Sequence, residues 1–326
     1  MRTLAAALLA LWLTACAAPA IQAPLSPPPG FTGPRLGDRT LVMDDGARLP
    51  LQTWLPPEGQ EPRAVIVALH GMNDHATAFH MAGPAWAEQG VAVFAYDQRG
   101  FGGAPGRGVW AGEARMTHDL RLAVDLARTR YPNALVAVAG ESMGGAVAIS
   151  AFASERPPAA DGLILLGPAV WGWSSQPPWN RAALWAAARL LGPRAVEPPE
   201  ALVRDIRATD NLTELYRMGR DPQMIFSTRF DTLYGLVSLM ESASEGLARL
   251  QTPTLYLWGE NDQIITREPT ERALAAASGC VRLIRYREGW HLLNRDHQAS
   301  RVHADVVAYL RALDDGGKAA LCDEGP

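Results

Sequence analysis

Short, mostly apolar runs alternate with longer stretches of mixed polarity along most of the chain. Ala64 to Leu69, Val91 to Tyr96, Leu135 to Ala139, Leu163 to Leu166, Thr254 to Trp258 and Val281 to Tyr286 are the runs. A strand covered on both faces shows little polar alternation, so they predict six strands of a parallel sheet with helices on both sides. Helical patterns fall between and after them, near residues 76–89, 112–130, 145–155, 267–278 and 299–313. Upstream, Thr40 to Met43 and Leu49 to Trp54 flank Asp44-Asp45-Gly46, which predicts a hairpin. This order of elements predicts a doubly wound α/β domain.

The rhythm breaks at residues 169–252, which contain no clear strand. A compact domain does not leave that length structureless. Helical stretches over Arg181–Leu191, 200–219 and 231–248, with a proline-rich break at 193–199, predict a cap over the C-terminal edge of the sheet. That edge is where ligands of open α/β sheets bind. Trp171, Trp173, Trp179 and Trp185 fit either a second small core or a cap wall that meets an apolar substrate, and we expect the wall. The expected divisions are core at 38–169 and 251–314, cap at 170–250 and a tail at 315–326.

At 326 residues the chain can bury a large core with a small subdomain. A net charge of −4 with no Lys/Arg run argues against a nucleic-acid partner. The N-terminus changes the picture more. Arg2 precedes an apolar run from Leu4 to Leu13, too short to span a membrane, followed by Leu13-Thr14-Ala15-Cys16. Residues 1–15 read as a secretory signal whose end resembles the lipobox of bacterial lipoproteins, which leaves Cys16 as a lipidated first residue. A plain signal cut near Ala18 or Ala20 is the alternative. Acyl chains on Cys16 would hold the chain at a membrane, at about 0.8 kcal/mol per buried CH₂. Ala17, in place of an aspartate, points to the outer membrane, facing the periplasm. Six prolines within residues 16–37 predict a semi-rigid spacer that holds the domain off the bilayer. Such a compartment is oxidising. Cys280 precedes the last strand and Cys322 follows the antiparallel last helix, so the two could pair as a disulfide or stand as two free or buried thiols.

The chemistry centres on Gly140-Glu141-Ser142-Met143-Gly144, between a predicted strand and a predicted helix. A serine on so sharp a turn needs small residues two before and two after it. The pattern resembles the nucleophile elbow of α/β-hydrolases, which implies Ser142 as nucleophile. Its base is expected to be His291, in the loop after the last strand, with Asp262 in Gly259-Glu260-Asn261-Asp262 orienting it and Glu260 as competitor. The N–H groups of Met143 and Met72 are the expected oxyanion donors. His70 reads as a structural residue of that second loop.

Taken together, several stretches resemble the monoacylglycerol lipase and lysophospholipase branch of the α/β-hydrolases, also labelled serine aminopeptidase S33-like. They are His70-Gly71-Met72 with His75, Asp97-Gln98-Arg99-Gly100-Phe101-Gly102, Gly140-Glu141-Ser142-Met143-Gly144-Gly145, Gly259-Glu260-Asn261-Asp262 and Trp290-His291, within residues 38–313. Glu141 stands where many members carry histidine. The resemblance implies an α/β-hydrolase fold with an inserted helical cap. It also implies a cofactor-free serine hydrolase that cleaves small lipid-like carboxylic esters through an acyl-enzyme. A peptidase or thioesterase on the same triad, or a non-catalytic envelope lipoprotein, are the alternatives. No H-E-x-x-H or paired C-x-x-C spacing calls for a metal, and nothing calls for an obligate protein partner.

Overall fold

The apolar runs become the parallel strands of one sheet. A computed structural model describes residues 18–277 and 279–322. Its strands are β1 (Arg35–Leu36), β2 (Thr40–Val42), β3 (Arg48–Trp54), β4 (Ala64–Leu69), β5 (Val91–Tyr96), β6 (Leu135–Glu141), β7 (Gly162–Leu166), β8 (Ala195–Val196), β9 (Thr228–Arg229), β10 (Thr254–Gly259) and β11 (Val281–Tyr286). All but β8 and β9 form a nine-stranded sheet in the order β1-β2-β3-β5-β4-β6-β7-β10-β11. The strands from β5 to β11 in that order are parallel, and β1, β2 and β3 extend the edge antiparallel. The helices are α1 (Ala82–Ala87), α2 (Glu113–Arg130), α3 (Met143–Phe152), α4 (Pro178–Leu190), α5 (Glu200–Val203), α6 (Leu212–Arg220), α7 (Phe230–Gly246), α8 (Arg267–Ala275) and α9 (Ala299–Cys322).

Two cores lie on the two faces of the sheet, and the pleat decides which residue enters which. Val65, Val67 and Leu69 of β4 join Leu120 and Val124 of α2 and Val147 of α3. Ala64, Ile66 and Ala68 of the same strand join Trp86 of α1 and Val302, Val306 and Leu310 of α9. A strand used on both faces has no solvent side, which is why its sequence lacks alternation. Strands β5 and β6 flank β4 on opposite sides, so successive crossovers leave β4 in opposite directions. The crevice this opens lies beyond the C-terminal ends of β4 and β6.

The loop after β5 is locked by a buried guanidinium. Arg99 Nη1 and Nη2 donate to Asp45 at 2.7 and 2.8 Å, and its Nε and Nη2 donate to Asp119 at 2.6 and 3.1 Å. Burial works against the Asp45 carboxylate, but Arg99 and the Ala47 N–H outweigh it and hold its pKa at about 2. Removing one partner of such a buried pair costs about 3–5 kcal/mol, because a bare charge remains inside.

Residues 169–252 are an insert between β7 and β10, carrying α4 to α7 and the antiparallel β8–β9 ribbon. Helix α7 packs on both α3 and α4. The stretch expected to be helical over 200–219 is two helices, because residues 204–211 turn and Asn211 starts α6 by accepting the Glu214 N–H at 3.3 Å. Arg107 ties the insert down by donating to the carbonyls of Pro222, Gln223 and Met224 at 2.8 to 3.0 Å.

The proline-rich segment corrects an expectation. Instead of standing free as a spacer, it lies along the domain as a strap. The Gln22 N–H donates to Trp110 O at 2.9 Å and its Nε2 to Val109 O at 2.6 Å. The Leu25 N–H reaches Asp45 at 3.2 Å, and β1 pairs with β2. Backbone groups and one glutamine make these contacts, so no apolar periodicity announces them. Cys16 lies outside the described residues. Cys280 is disulfide-bonded, while the side chain of its candidate partner Cys322 also lies outside those described. Among the described residues no helix is long and apolar enough to cross a membrane.

Candidate active site

Strand β6 runs into α3 through Ser142, whose φ of +52° and ψ of −116° no ordinary L-residue prefers. The crossing is close enough to demand glycine on either side. A Cβ on Gly144 would lie 2.3 Å from Leu69 O, and one on Gly140 would lie 2.6 Å from Gly144 O. Ser142 is half-buried, and its Oγ makes no hydrogen bond among the described residues.

Beyond β10, Asp262 Oδ1 accepts the N–H groups of Ile264 and Ile265, both at 2.8 Å. Its Oδ2 is thereby aimed at His291 Nδ1, 2.8 Å away. Glu260, the competing acid, is exposed. The turn after β7 brings this pair to the serine. Ser142 N donates to Leu166 O and Ala169 N donates to Ser142 O, each at 3.0 Å. Between them, a Cβ on Gly167 would stand 3.4 Å from both Asp262 Oδ2 and His291 Nδ1. Four residues of backbone therefore touch all three side chains' supports.

The loop after β4 passes over Ser142. A Cβ on Gly71 would lie 3.3 Å from Ser142 Cβ. His70 pins this loop: its Nδ1 bonds Gly71 O at 2.7 Å and its Nε2 accepts the Gln98 N–H at 2.9 Å. One acceptor and one donor role fix a neutral tautomer, and burial lowers its pKa accordingly. The N–H groups of Met72 and of Met143, the first residue of α3, donate to no other group among the described residues. Residues 143 and 72 thus leave two donors beside the serine, one of them at a helix N-terminus.

Two charged residues not singled out by their sequence context sit beneath this set. Arg295 is wholly buried, with Nη1 on Asp74 at 2.8 Å and Nη2 on Glu141 at 2.5 Å. Burial pushes Glu141 up to about 7 in spite of Arg295. Burial also pulls His291 down, but the charge and hydrogen bond of Asp262, with Glu141 adding to them, hold its pKa above the ordinary value. No periodicity marks Arg295 or Asp74, since both are loop residues.

The tryptophans divide. Trp173 and Trp185, with Arg181, Tyr234 and Glu241, line a cavity of about 510 Å³ in the insert. Trp171 and Trp179 lie outside that lining and are exposed, the latter at 72 %, and Trp185 is itself partly open to solvent at 43 %. Among the described residues no group of three His, Cys, Asp or Glu side chains is arranged to hold a metal ion.

Residues 60–298 match the family described as serine aminopeptidase, S33. A monoacylglycerol lipase of Mycolicibacterium smegmatis is 26% identical over 278 residues, covering 81% of this chain and 93% of the relative. The human monoglyceride lipase is 25% identical over 261 residues, covering 78% and 84%. A crystal structure of a soluble variant of the Saccharomyces cerevisiae monoglyceride lipase with a substrate analogue superposes with a TM-score of 0.69 at 19% identity, covering 88% of this chain and 98% of that one.

Proposed function

The chain belongs to the family described as serine aminopeptidase, S33, and from that premise we propose that it is a serine hydrolase of small carboxylic esters. The observation that carries the reading is the turn at 166–169, which bonds Ser142 on both its backbone N and O while Gly167 abuts the Asp262–His291 pair. Asp262 holds the His291 Nδ1–H, leaving the Nε2 lone pair to take the proton of Ser142. The Ser142 oxygen then attacks the acyl carbon, and the oxyanion draws on the N–H groups of Met72 and Met143. Collapse breaks the ester bond, His291 returns the proton to the departing alcohol, and the acyl group stays on Ser142. Water, deprotonated by the same imidazole, releases the acid and restores the serine.

The substrate class we favour is the single-chain ester of a monoacylglycerol or lysophospholipid. Its support is the naming of the relatives. A peptidase on the same machinery is the second reading, and the family's description favours it. Turnover of p-nitrophenyl esters of graded chain length, set against aminoacyl-anilides, decides: we expect ester hydrolysis that rises with acyl length and none of the anilides. Faster anilide cleavage would reverse the choice.

We further propose that Cys16 carries acyl chains and holds the enzyme at the outer membrane, facing the periplasm. The run Leu13-Thr14-Ala15-Cys16 supports this. Metabolic labelling with an alkynyl fatty acid should mark the wild type and not Cys16→Ser; equal labelling of both would count against it.

A further inference from the structure

Arg295 is shared by carboxylates from three segments distant from one another in the sequence. Asp74 belongs to the loop after β4, 2.8 Å from Nη1. Glu141 ends β6 immediately before Ser142 and lies 2.5 Å from Nη2. Glu214 comes from α6 of the insert, 3.5 Å from Nη1. Arg295 itself follows His291 by four residues, and its carbonyl accepts from Asn211 Nδ2, at the start of α6, at 2.9 Å. One buried guanidinium thus touches the oxyanion loop, the nucleophile elbow, the histidine loop and the insert.

The charges around it are unequal. Glu214 has a second cation in Arg217, at 2.7 and 2.9 Å, and His80 at 3.6 Å. Asp74 also accepts the His75 N–H at 2.8 Å. Among the described residues Glu141 is hydrogen-bonded by Arg295 only, and its Oε2 is buried with no hydrogen-bond partner there. Of the three carboxylates it is the one whose charge depends most on how Arg295 is shared. The Glu141 carboxylate lies beside the serine, since a Cβ on Gly71 would stand 3.6 Å from Glu141 Oε1 and 3.3 Å from Ser142 Cβ. The charges that act on Glu141 are those of Arg295, Asp74 and His291, and those that act on His291 are Asp262, Glu141, Arg295 and Asp296.

We propose that Arg295 is a positioning residue of the reaction: through Glu141 it sets the negative charge that faces His291, and through Glu214 it makes that charge depend on how α6 is seated. A seated α6 draws part of Arg295 to Glu214 and leaves more of the Glu141 field on the imidazole. The base is then strongest when the insert is in place over the serine. This rests on the reading of Ser142 and His291 given above.

The test is the pH dependence of the rate constant for inactivation by a fluorophosphonate, measured on the full chain. A first-order rate constant does not depend on how much protein has folded, so partial misfolding of a variant leaves the readout intact. Removing a negative charge beside an imidazole lowers its pKa by the missing attraction. Glu141→Gln is expected to move the acid limb to lower pH by roughly a few tenths of a unit, since Glu141, itself raised to about 7, carries only part of its charge there. Glu141→Asp, which keeps the charge, should restore most of the wild-type limb. Glu214→Gln should move the limb the same way by less, since Arg295 is then given over to Glu141. A limb that stays put in Glu141→Gln overturns the proposal, and one that stays put in Glu214→Gln alone overturns the dependence on α6. Wild-type protein that never labels at Ser142 would instead defeat the underlying reading of the site.

Discussion

Ser142→Ala should abolish ester hydrolysis, lowering kcat by roughly 10⁶-fold, and should erase labelling by a fluorophosphonate. The loss is expected to be so large because no neighbouring group can substitute. Ser142 occupies the strained φ of +52° that lifts its side chain out between β6 and α3. The substitution keeps a Cβ and removes only the hydroxyl, so the backbone strain and the close approach of Gly144 to Leu69 remain. Thermal unfolding should therefore be nearly unchanged, within about 0.5 kcal/mol, which separates a chemical loss from a folding one. Labelling that persists in the variant would mean that another nucleophile is at work.

Asp262→Asn is expected to lower kcat by roughly 10⁴-fold while the variant stays folded. Asp262 Oδ1 is held by the Ile264 and Ile265 N–H groups, and an amide oxygen can accept both. The amide nitrogen would then face His291 Nδ1, where a donor forces the wrong tautomer on the imidazole. The same change removes the charge that raises the pKa of His291. A raised imidazole pKa stabilises the fold fully below its unfolded value and loses that contribution as pH climbs through the folded value. The variant should therefore be most destabilised, relative to wild type, below pH 6.5, with the gap closing at higher pH. Kinetics and urea unfolding at two pH values check the two halves independently. Glu260→Gln should match wild type in both, as its side chain is exposed.

Both side chains were legible because each sits at the end of a strand that its own apolar run declares. Thr254 to Trp258 announces β10, and Asp262 follows it by a turn; Leu135 to Ala139 announces β6, and Ser142 follows. Arg295 shows what such reading cannot reach. Its partners Glu141 and Asp74 stand 154 and 221 residues away, and a lone arginine in a loop has no period to betray its burial. Only the sheet order, which gathers the ends of β4 and β6 beside the loop after β11, creates the demand for a cation there. The tryptophans were legible only in part. Composition showed an aromatic-rich insert, but whether Trp173 or Trp179 faces inward depends on the rotation of short helices, which proline breaks leave undetermined in the sequence. The strap was missed because proline content reports stiffness and says nothing of whether a stiff peptide is docked.

Under the proposed lipidation of Cys16, that docked strap would act as a short leash. Five residues lie between Cys16 and Gln22, and the six residue steps, fully extended, span only about 20 Å. A lipid on Cys16 would keep the Val109–Trp110 turn within that reach of the headgroups. Trp110 abuts Gly235 of α7, and Gly108 O accepts the Thr232 hydroxyl, so one flank of the insert would travel with it. Orientation at the bilayer would then be decided by where the strap lets go of the domain. A tether cut at Gln22 would leave the chemistry whole and the molecule free to tumble.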